Sequence, residues 1–125
     1  MKVLKNQLAE VSLSDRTHFC VNGDEAINCV KQAVTEALNK LGDEKKIRPI
    51  TLMLLDFQMP GKNGIEVLKE TKLFLKEQAA LLKDKGVTLE SPEYVFLTAY
   101  MSIGFRKHLE SMGVTKIYEK PLVDS

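Results

Sequence analysis

A single carboxylate, Asp56, follows the apolar run ITLMLL of residues 50–55 and precedes a proline and two glycines. An apolar run of this length predicts a parallel strand that is covered on both faces, with Asp56 at its carboxyl end. Two more polar residues, Thr98 and Lys120, end later strand-like segments. Because the carboxyl ends of parallel strands share one edge of a sheet, we expect Asp56, Thr98 and Lys120 to converge there.

Strands must hold these three residues in place, and four are predicted. A short amphipathic helix comes first, predicted from Leu4, Leu8 and Val11 at helical spacing. The strands then follow at residues 17–21, 50–55 and 94–98 and in the segment KIYEKP, which Pro121 closes.

Three further helices are predicted between the strands. The first has Asp24 as its cap and Gly42 as its stop, and the polar segment DEKKIRP after it predicts a loop. The second runs from near Gly64 to Gly86, and the third from Ser102 to Gly113. The order αβαβαβαβ predicts an α/β fold, with a parallel sheet and helices on both of its faces.

Composition narrows the class of protein. A chain of 125 residues, 44% hydrophobic and 28% charged, is typical of one globular domain. Its formal charge of +1 favours neither nucleic acid nor an acidic membrane as a partner. Cys20 and Cys29 form neither a disulfide framework nor a CxxC pair, which favours buried thiols in a reducing compartment. Without an apolar run of spanning length or a signal peptide, we expect a cytoplasmic protein.

Three segments, LLDFQMPGKNGIEVL, FLTAY and GVTKIYEKP, together resemble the receiver domain of two-component response regulators, of the kind found in hybrid histidine kinases. The aspartate followed by Met-Pro and then Gly, with a Thr-Ala and a Lys-Pro in order after it, is a specific combination. The resemblance implies a flavodoxin-like, doubly wound parallel sheet. It runs from about residue 2 to residue 121, and it implies that residues 1–125 are a single receiver-like domain.

The resemblance also implies a role for each matching residue. Asp56 is then the phosphoacceptor, which receives a phosphoryl group from a histidine kinase or phosphotransfer protein in a phosphorelay. Thr98 is the hydroxyl donor to the phosphoryl group, and Lys120 is a point charge on it. The backbone carbonyl of Gln58 joins Asp56 as a ligand of Mg²⁺, since hard cations prefer oxygen.

The chain departs from the receiver pattern at both ends. A receiver begins with an interior strand that ends in an acidic pair, whereas this chain is expected to start at the first helix. Glu10, Asp15 and Asp24 would then lie in the wrong elements to replace that pair, which weakens the expected Mg²⁺ site. The final helix is missing too, so we expect a shortened or fragmentary domain. A sheet that lacks an interior strand favours self-association through its unpaired edges.

Two smaller departures concern the signalling machinery. The family places an aromatic residue three positions before the lysine, where this chain has Ile117, and Tyr118 comes one position later. The segment between Asp56 and Thr98 is longer than in the family, and a long helix through LFLKEQAALLKDKG accounts for the excess. That helix could form a partner surface.

Two other functions remain open. A degenerate receiver would bind a partner without being phosphorylated. Hydrolases that form an aspartyl phosphate also use an aspartate at a strand end, but they place a second aspartate two residues later, where this chain has Gln58. We therefore expect a signalling domain and not an enzyme.

Overall fold

The computed structural model describes residues 9–13, 16–57, 63–98, 102–114 and 116–119. These residues form an α/β fold with seven strands and three helices: β1 (Ala9–Leu13), β2 (Thr17–Cys20), α1 (Gly23–Asn39), β3 (Lys46–Ile47), β4 (Ile50–Asp56), α2 (Gly64–Lys83), β5 (Thr88–Leu89), β6 (Glu93–Thr98), α3 (Ile103–Ser111) and β7 (Lys116–Glu119).

The main sheet has five strands in the order β2-β1-β4-β6-β7 and is mostly parallel. Strands β4, β6 and β7 are parallel to one another, whereas β1 is antiparallel to both of its neighbours, β2 and β4. Four strands therefore point the same way, and β1 alone of the five points back. The four predicted strands, 17–21, 50–55, 94–98 and the one in KIYEKP, are confirmed within a residue or two over their described parts.

The predicted first helix is wrong where it can be compared, because Val11 lies in β1 and pairs with His18 and Met53. Residues 9–13 (AEVSL) alternate apolar and polar side chains, which is the period of a strand and not of a helix. A hairpin joins β1 to β2, closed by a hydrogen bond of 2.7 Å from the Leu13 amide to the Arg16 carbonyl. Leu4 and Leu8 lie outside the described residues.

Strand β1 also corrects the expectation of a gap inside the sheet. It lies inside the sheet, between β2 and β4, and it pairs with both. The edges of β2 and β4 that would otherwise be unpaired are therefore hydrogen-bonded to β1. Unpaired interior edges are not a reason for this chain to self-associate.

The described helices pack on one face of the sheet. The crossovers β2-α1-β4, β4-α2-β6 and β6-α3-β7 all step in the same direction across the sheet. Right-handed crossovers in one direction place their helices on the same face, and α1 and α2 contact each other. The expectation of helices on both faces is therefore not met by the part of the chain that the structure describes.

Burial along two neighbouring rows of paired residues agrees with this arrangement. On the helical face, every member of one row is buried: Cys20, Ala9, Leu55, Phe96 and Ile117. The next row faces the other way and ranges from the buried Val95 to Phe19, which is 55% exposed. The hydrophobic core thus lies between the sheet and the three helices.

Helix ends follow local side-chain chemistry. The cap of α1 is Asn22, whose side chain accepts from the Glu25 amide, so the prediction of Asp24 was wrong by two residues. α1 ends at Asn39, before the predicted stop at Gly42. Ser102 caps α3 as predicted. The predicted stops at Gly86 and Gly113 are confirmed, and both residues have positive φ angles, 75° and 90°, which glycine adopts at little cost.

A second, two-stranded sheet joins β3 and β5 in parallel. Lys46 and Ile47 were predicted as part of a loop, and their pairing with Thr88 and Leu89 corrects that prediction. This small sheet ties the segment before β4 to the end of α2. Among the described residues, no helix is both long enough and apolar enough to cross a membrane.

Candidate functional site

Asp56 is the last residue of β4, the central strand of the main sheet, and only 4% of it is exposed. Its Cα partner on β6 is Leu97. The ladder continues one step further, since the Phe57 amide donates to the Leu97 carbonyl at 2.9 Å. Backbone pairing with β6 therefore fixes the main chain at Asp56 and at the residue that follows it.

Thr98 ends β6 and is also buried, at 3% exposure. It directly follows Leu97, the Cα partner of Asp56. With a strand spacing of about 4.8 Å and a rise of about 3.3 Å per residue, the Cα atoms of Asp56 and Thr98 are about 6 Å apart. The predicted convergence of these two residues is therefore met.

Successive side chains of a strand point to opposite faces of the sheet, and this determines where one ligand could contact both Asp56 and Thr98. Asp56 leaves the sheet on the same face as its partner Leu97, and Thr98 leaves on the opposite face. Two side chains on opposite faces can contact one group only beyond the carboxyl edge, where the strands end. A group that contacts both must therefore lie over that edge and not on either face of the sheet.

Lys120 and Gln58, the other two predicted site residues, lie outside the described residues. The strand that leads to Lys120 does reach the same edge, because β7 ends at Glu119 and Glu119 pairs with Thr98.

The beginning of α2 lies against the backbone of Asp56. A Cβ atom built on Gly64 would be 2.6 Å from the Asp56 carbonyl oxygen and 3.0 Å from the Phe96 ring. The Gly64 amide donates to the Phe57 carbonyl at 3.0 Å. Only glycine allows the helix to approach the strand this closely, which gives a physical reason for the glycine eight residues after Asp56.

A capping box fixes the same helix end. The Asn63 side chain accepts from the Glu66 amide, and the Glu66 side chain accepts from the Asn63 amide, both at 2.9 Å. Reciprocal bonds of this kind satisfy two amides that would otherwise lack partners. The amino end of α2 is thereby fixed at Asn63.

Helix α3 is joined to the site by an aromatic pair. The rings of Phe57 and Phe105 meet edge to face, with centroids 5.0 Å apart and planes at 73°. Phe105 lies in the first turn of α3, where its amide donates to the Ser102 hydroxyl oxygen at 3.1 Å. The residue after Asp56 therefore contacts the helix that follows Thr98.

Glu10 lies in a strand and not in the helix that was predicted at the start of the chain. It lies in β1, and its Cα partner on β4 is Leu54, two residues before Asp56. Residues diagonal to each other across a strand pair share a face and are within reach of long side chains. The alternating pattern of AEVSL was the signal that could have identified Glu10 as a neighbour of Asp56.

These two carboxylates suit Mg²⁺. This cation binds proteins through one or two carboxylates and keeps several of its waters. Asp56 and Glu10 supply that donor chemistry at one strand pair, without a full acidic pair. Within the described ranges no group of three or more His, Cys, Asp or Glu residues could hold a metal ion. Asp56 and Glu10 are the kind of ligand that a hydrated Mg²⁺ accepts.

The resemblance predicts an aromatic residue at position 117, but the chain has Ile117 there and Tyr118 after it, and both lie in β7. Ile117 is buried on the helical face beside Phe96, whereas Tyr118 pairs with Leu97 and is 53% exposed. An aromatic ring at position 118 thus lies on the face opposite to the helices. It is on the opposite face from Thr98 as well.

One cavity, of about 530 Å³, lies between α2 and the amino end of β6 and is lined by Lys72, Lys76 and Tyr94 among others. Asp56 and Thr98 do not line it.

No model of a known protein family matches the chain, and no curated protein matches it either.

Proposed function

We propose that this chain is a receiver-like phosphoacceptor domain, with a flavodoxin-like fold, in which Asp56 accepts a phosphoryl group from a phosphohistidine. The donor is an intracellular histidine kinase or phosphotransfer protein. The observation that carries the proposal is the position of Asp56, buried at the carboxyl end of the central strand beside Thr98 at the end of the next one. The sequence motifs around both residues support it.

In the proposed reaction, a carboxylate oxygen of Asp56 attacks the phosphorus atom. A P–O bond forms while the P–N bond to the donor histidine breaks, and the imidazole leaves with the bonding electron pair. A carboxylate is a weak nucleophile, so placement and neutralisation of charge supply most of the rate. The fixed backbone at Asp56 and the close approach of Gly64 favour such placement.

The neighbouring side chains have separate roles. The Thr98 hydroxyl donates a hydrogen bond to a phosphoryl oxygen that projects over the strand edge. Lys120 neutralises part of the phosphoryl charge. Asp56, Glu10 and the Gln58 carbonyl would hold Mg²⁺, which lowers the repulsion between the carboxylate and the incoming phosphoryl oxygens.

The experiment is phosphorylation of the chain by acetyl phosphate in the presence of Mg²⁺, followed by intact-mass measurement. The proposal predicts one added phosphoryl group in the wild type and none in Asp56→Asn, which preserves size and hydrogen bonding. Thr98→Ala should still accept the group, because its hydroxyl contacts the product and not the nucleophile. A wild type that remains unmodified, or an Asp56→Asn variant that is modified equally, contradicts the proposal.

A degenerate receiver that only binds a partner is the second candidate. It is favoured by the exposure of Phe19 and Tyr118, two large side chains on the face that no described helix covers. Such a surface suits protein contacts, including self-association. Under this alternative, Phe19→Ser and Tyr118→Ser would abolish association measured by sedimentation, and Asp56→Asn would leave it unchanged.

A further inference from the structure

The two cysteines of the chain come together in space. Cys20 is the last residue of β2 and is buried at 3% exposure, while Cys29 lies in α1 and is half-buried. Both residues line one cavity of about 220 Å³ between β2 and α1. The two side chains are neighbours, and a hydrogen bond between the thiols is the first influence on the pKa of each. The turn into α1 therefore brings together two residues that sequence spacing alone left unrelated.

The two thiols differ in ionisation. The hydrogen bond from Cys20 lowers the pKa of Cys29, and Arg16 lowers it further against the opposing effects of burial and Glu36. The same bond and burial raise the pKa of Cys20, and Glu25 adds to the increase. Because the thiolate is the nucleophile, Cys29 is the residue that reacts first. Its partial exposure on the cavity wall gives a small oxidant access.

We propose that Cys20 and Cys29 form a reversible redox site, which closes to an intramolecular disulfide when the chain meets a hydroperoxide. This site is independent of the phosphoryl chemistry at Asp56. It uses a pair of thiols that the proposed function leaves without a role, and it lies at the edge of the sheet, with β1 between it and β4.

The chemistry balances with hydrogen peroxide as the oxidant. The Cys29 thiolate attacks one peroxide oxygen, the O–O bond breaks, and the other oxygen leaves as hydroxide and is protonated to water. Cys29 is then a sulfenic acid. The Cys20 sulfur attacks the Cys29 sulfur, the S–O bond breaks, and the leaving oxygen takes the Cys20 proton to form a second water. Two thiols have been oxidised to a disulfide, and one peroxide has been reduced to two waters.

The burial of Cys20 determines the order of events. A buried thiol with a raised pKa reacts poorly with a solute, but it lies beside Cys29 and can displace water from the sulfenic acid. Cys29 is therefore the attacking residue and Cys20 the resolving one. A thiol reductant would reopen the bond by exchange.

The test is brief treatment of the folded chain with hydrogen peroxide, then unfolding in iodoacetamide and mass measurement. We expect both thiols to be lost together in a monomer, with the mass of two fewer hydrogen atoms, and dithiothreitol to restore them. Peptide mapping without reductant should join the peptides that contain Cys20 and Cys29. Retention of both thiols, or cross-linked dimers in place of the internal bond, would overturn the proposal.

Single variants separate the two roles. In Cys20→Ala, which keeps an apolar side chain in the core, Cys29 should stop at the sulfenic acid and react with dimedone. In Cys29→Ser, Cys20 should remain reduced at the same peroxide concentration.

The wild type should form the disulfide bond more than tenfold faster when folded than in urea. Equal rates in the folded and unfolded states would show that the fold does not assemble the site. A circular dichroism spectrum unchanged by Cys20→Ala establishes that this variant is folded.

Discussion

Gly64 and the backbone carbonyl of Asp56 are so close that a Cβ atom on Gly64 would be 2.6 Å from the carbonyl oxygen. Carbon and oxygen atoms that are not bonded do not approach this closely, so any side chain here must displace α2 or the end of β4. The contact connects the first turn of a helix to the last residue of the central strand. It therefore couples the placement of the candidate nucleophile to the packing of α2.

Gly64→Ala should destabilise the chain by about 1–3 kcal/mol, which is the usual cost of forcing an extra methyl group into a packed site. The matched control is Gly104→Ala in α3, where an added Cβ atom has no neighbour within 4 Å. That substitution should be neutral or stabilise by up to about 1 kcal/mol through helix propensity. Urea unfolding followed by circular dichroism measures both, and equal effects of the two substitutions would contradict the close contact.

Glu10→Gln should weaken Mg²⁺ binding on the order of tenfold, because it removes one negative charge within reach of Asp56. Glu77→Gln, on the exposed surface of α2, removes the same charge far from the site and should have little effect. Calorimetric titration with Mg²⁺ gives the affinities. Equal affinities for wild type and Glu10→Gln would exclude Glu10 as a ligand.

Alkaline pH should destabilise the chain through Tyr94. Burial raises the pKa of Tyr94 to about 12, although a hydrogen bond with Thr71 opposes the rise. The pKa of the unfolded tyrosine is near the ordinary value of 10.0, so it loses its proton while the folded one keeps it, and stability decreases as pH rises from about 10 to about 12. A difference of this size corresponds to about 2–3 kcal/mol.

Tyr94→Phe should remove this dependence, whereas Tyr118→Phe, at a side chain that is 53% exposed, should preserve it. The free energy of unfolding is measured in urea at about pH 9 and about pH 12 for each chain. A Tyr94→Phe variant that loses as much stability as the wild type over this interval would assign the effect to another group.

The elements that sequence predicted well are those with a strong local signal. The apolar run before Asp56, the helix from Gly64 and the cap at Ser102 each depend on residues next to one another. β1 was missed because Leu4, Leu8 and Val11 fit a helical spacing, while the hairpin with β2 and the pairing with β4 are contacts between distant residues. Such pairing overrides a weak local preference.

The site was predicted to the same depth. Asp56 and Thr98 were placed together because strand ends converge in any parallel sheet. Glu10 could not be assigned to this edge, because the spacing of Leu4, Leu8 and Val11 predicts a helix where β1 lies. The contact between Cys20 and Cys29 depends on the packing of α1 against β2, which spacing in the sequence does not encode.

Mapping the phosphoryl group on the chain tests whether Asp56 is the acceptor. After treatment with acetyl phosphate and Mg²⁺, the label should lie in the peptide that contains Asp56. It should be released by hydroxylamine, which cleaves acyl phosphates and leaves phosphate esters of serine and threonine intact. A label that resists hydroxylamine, or one that maps to another peptide, would show that Asp56 is not the phosphoacceptor.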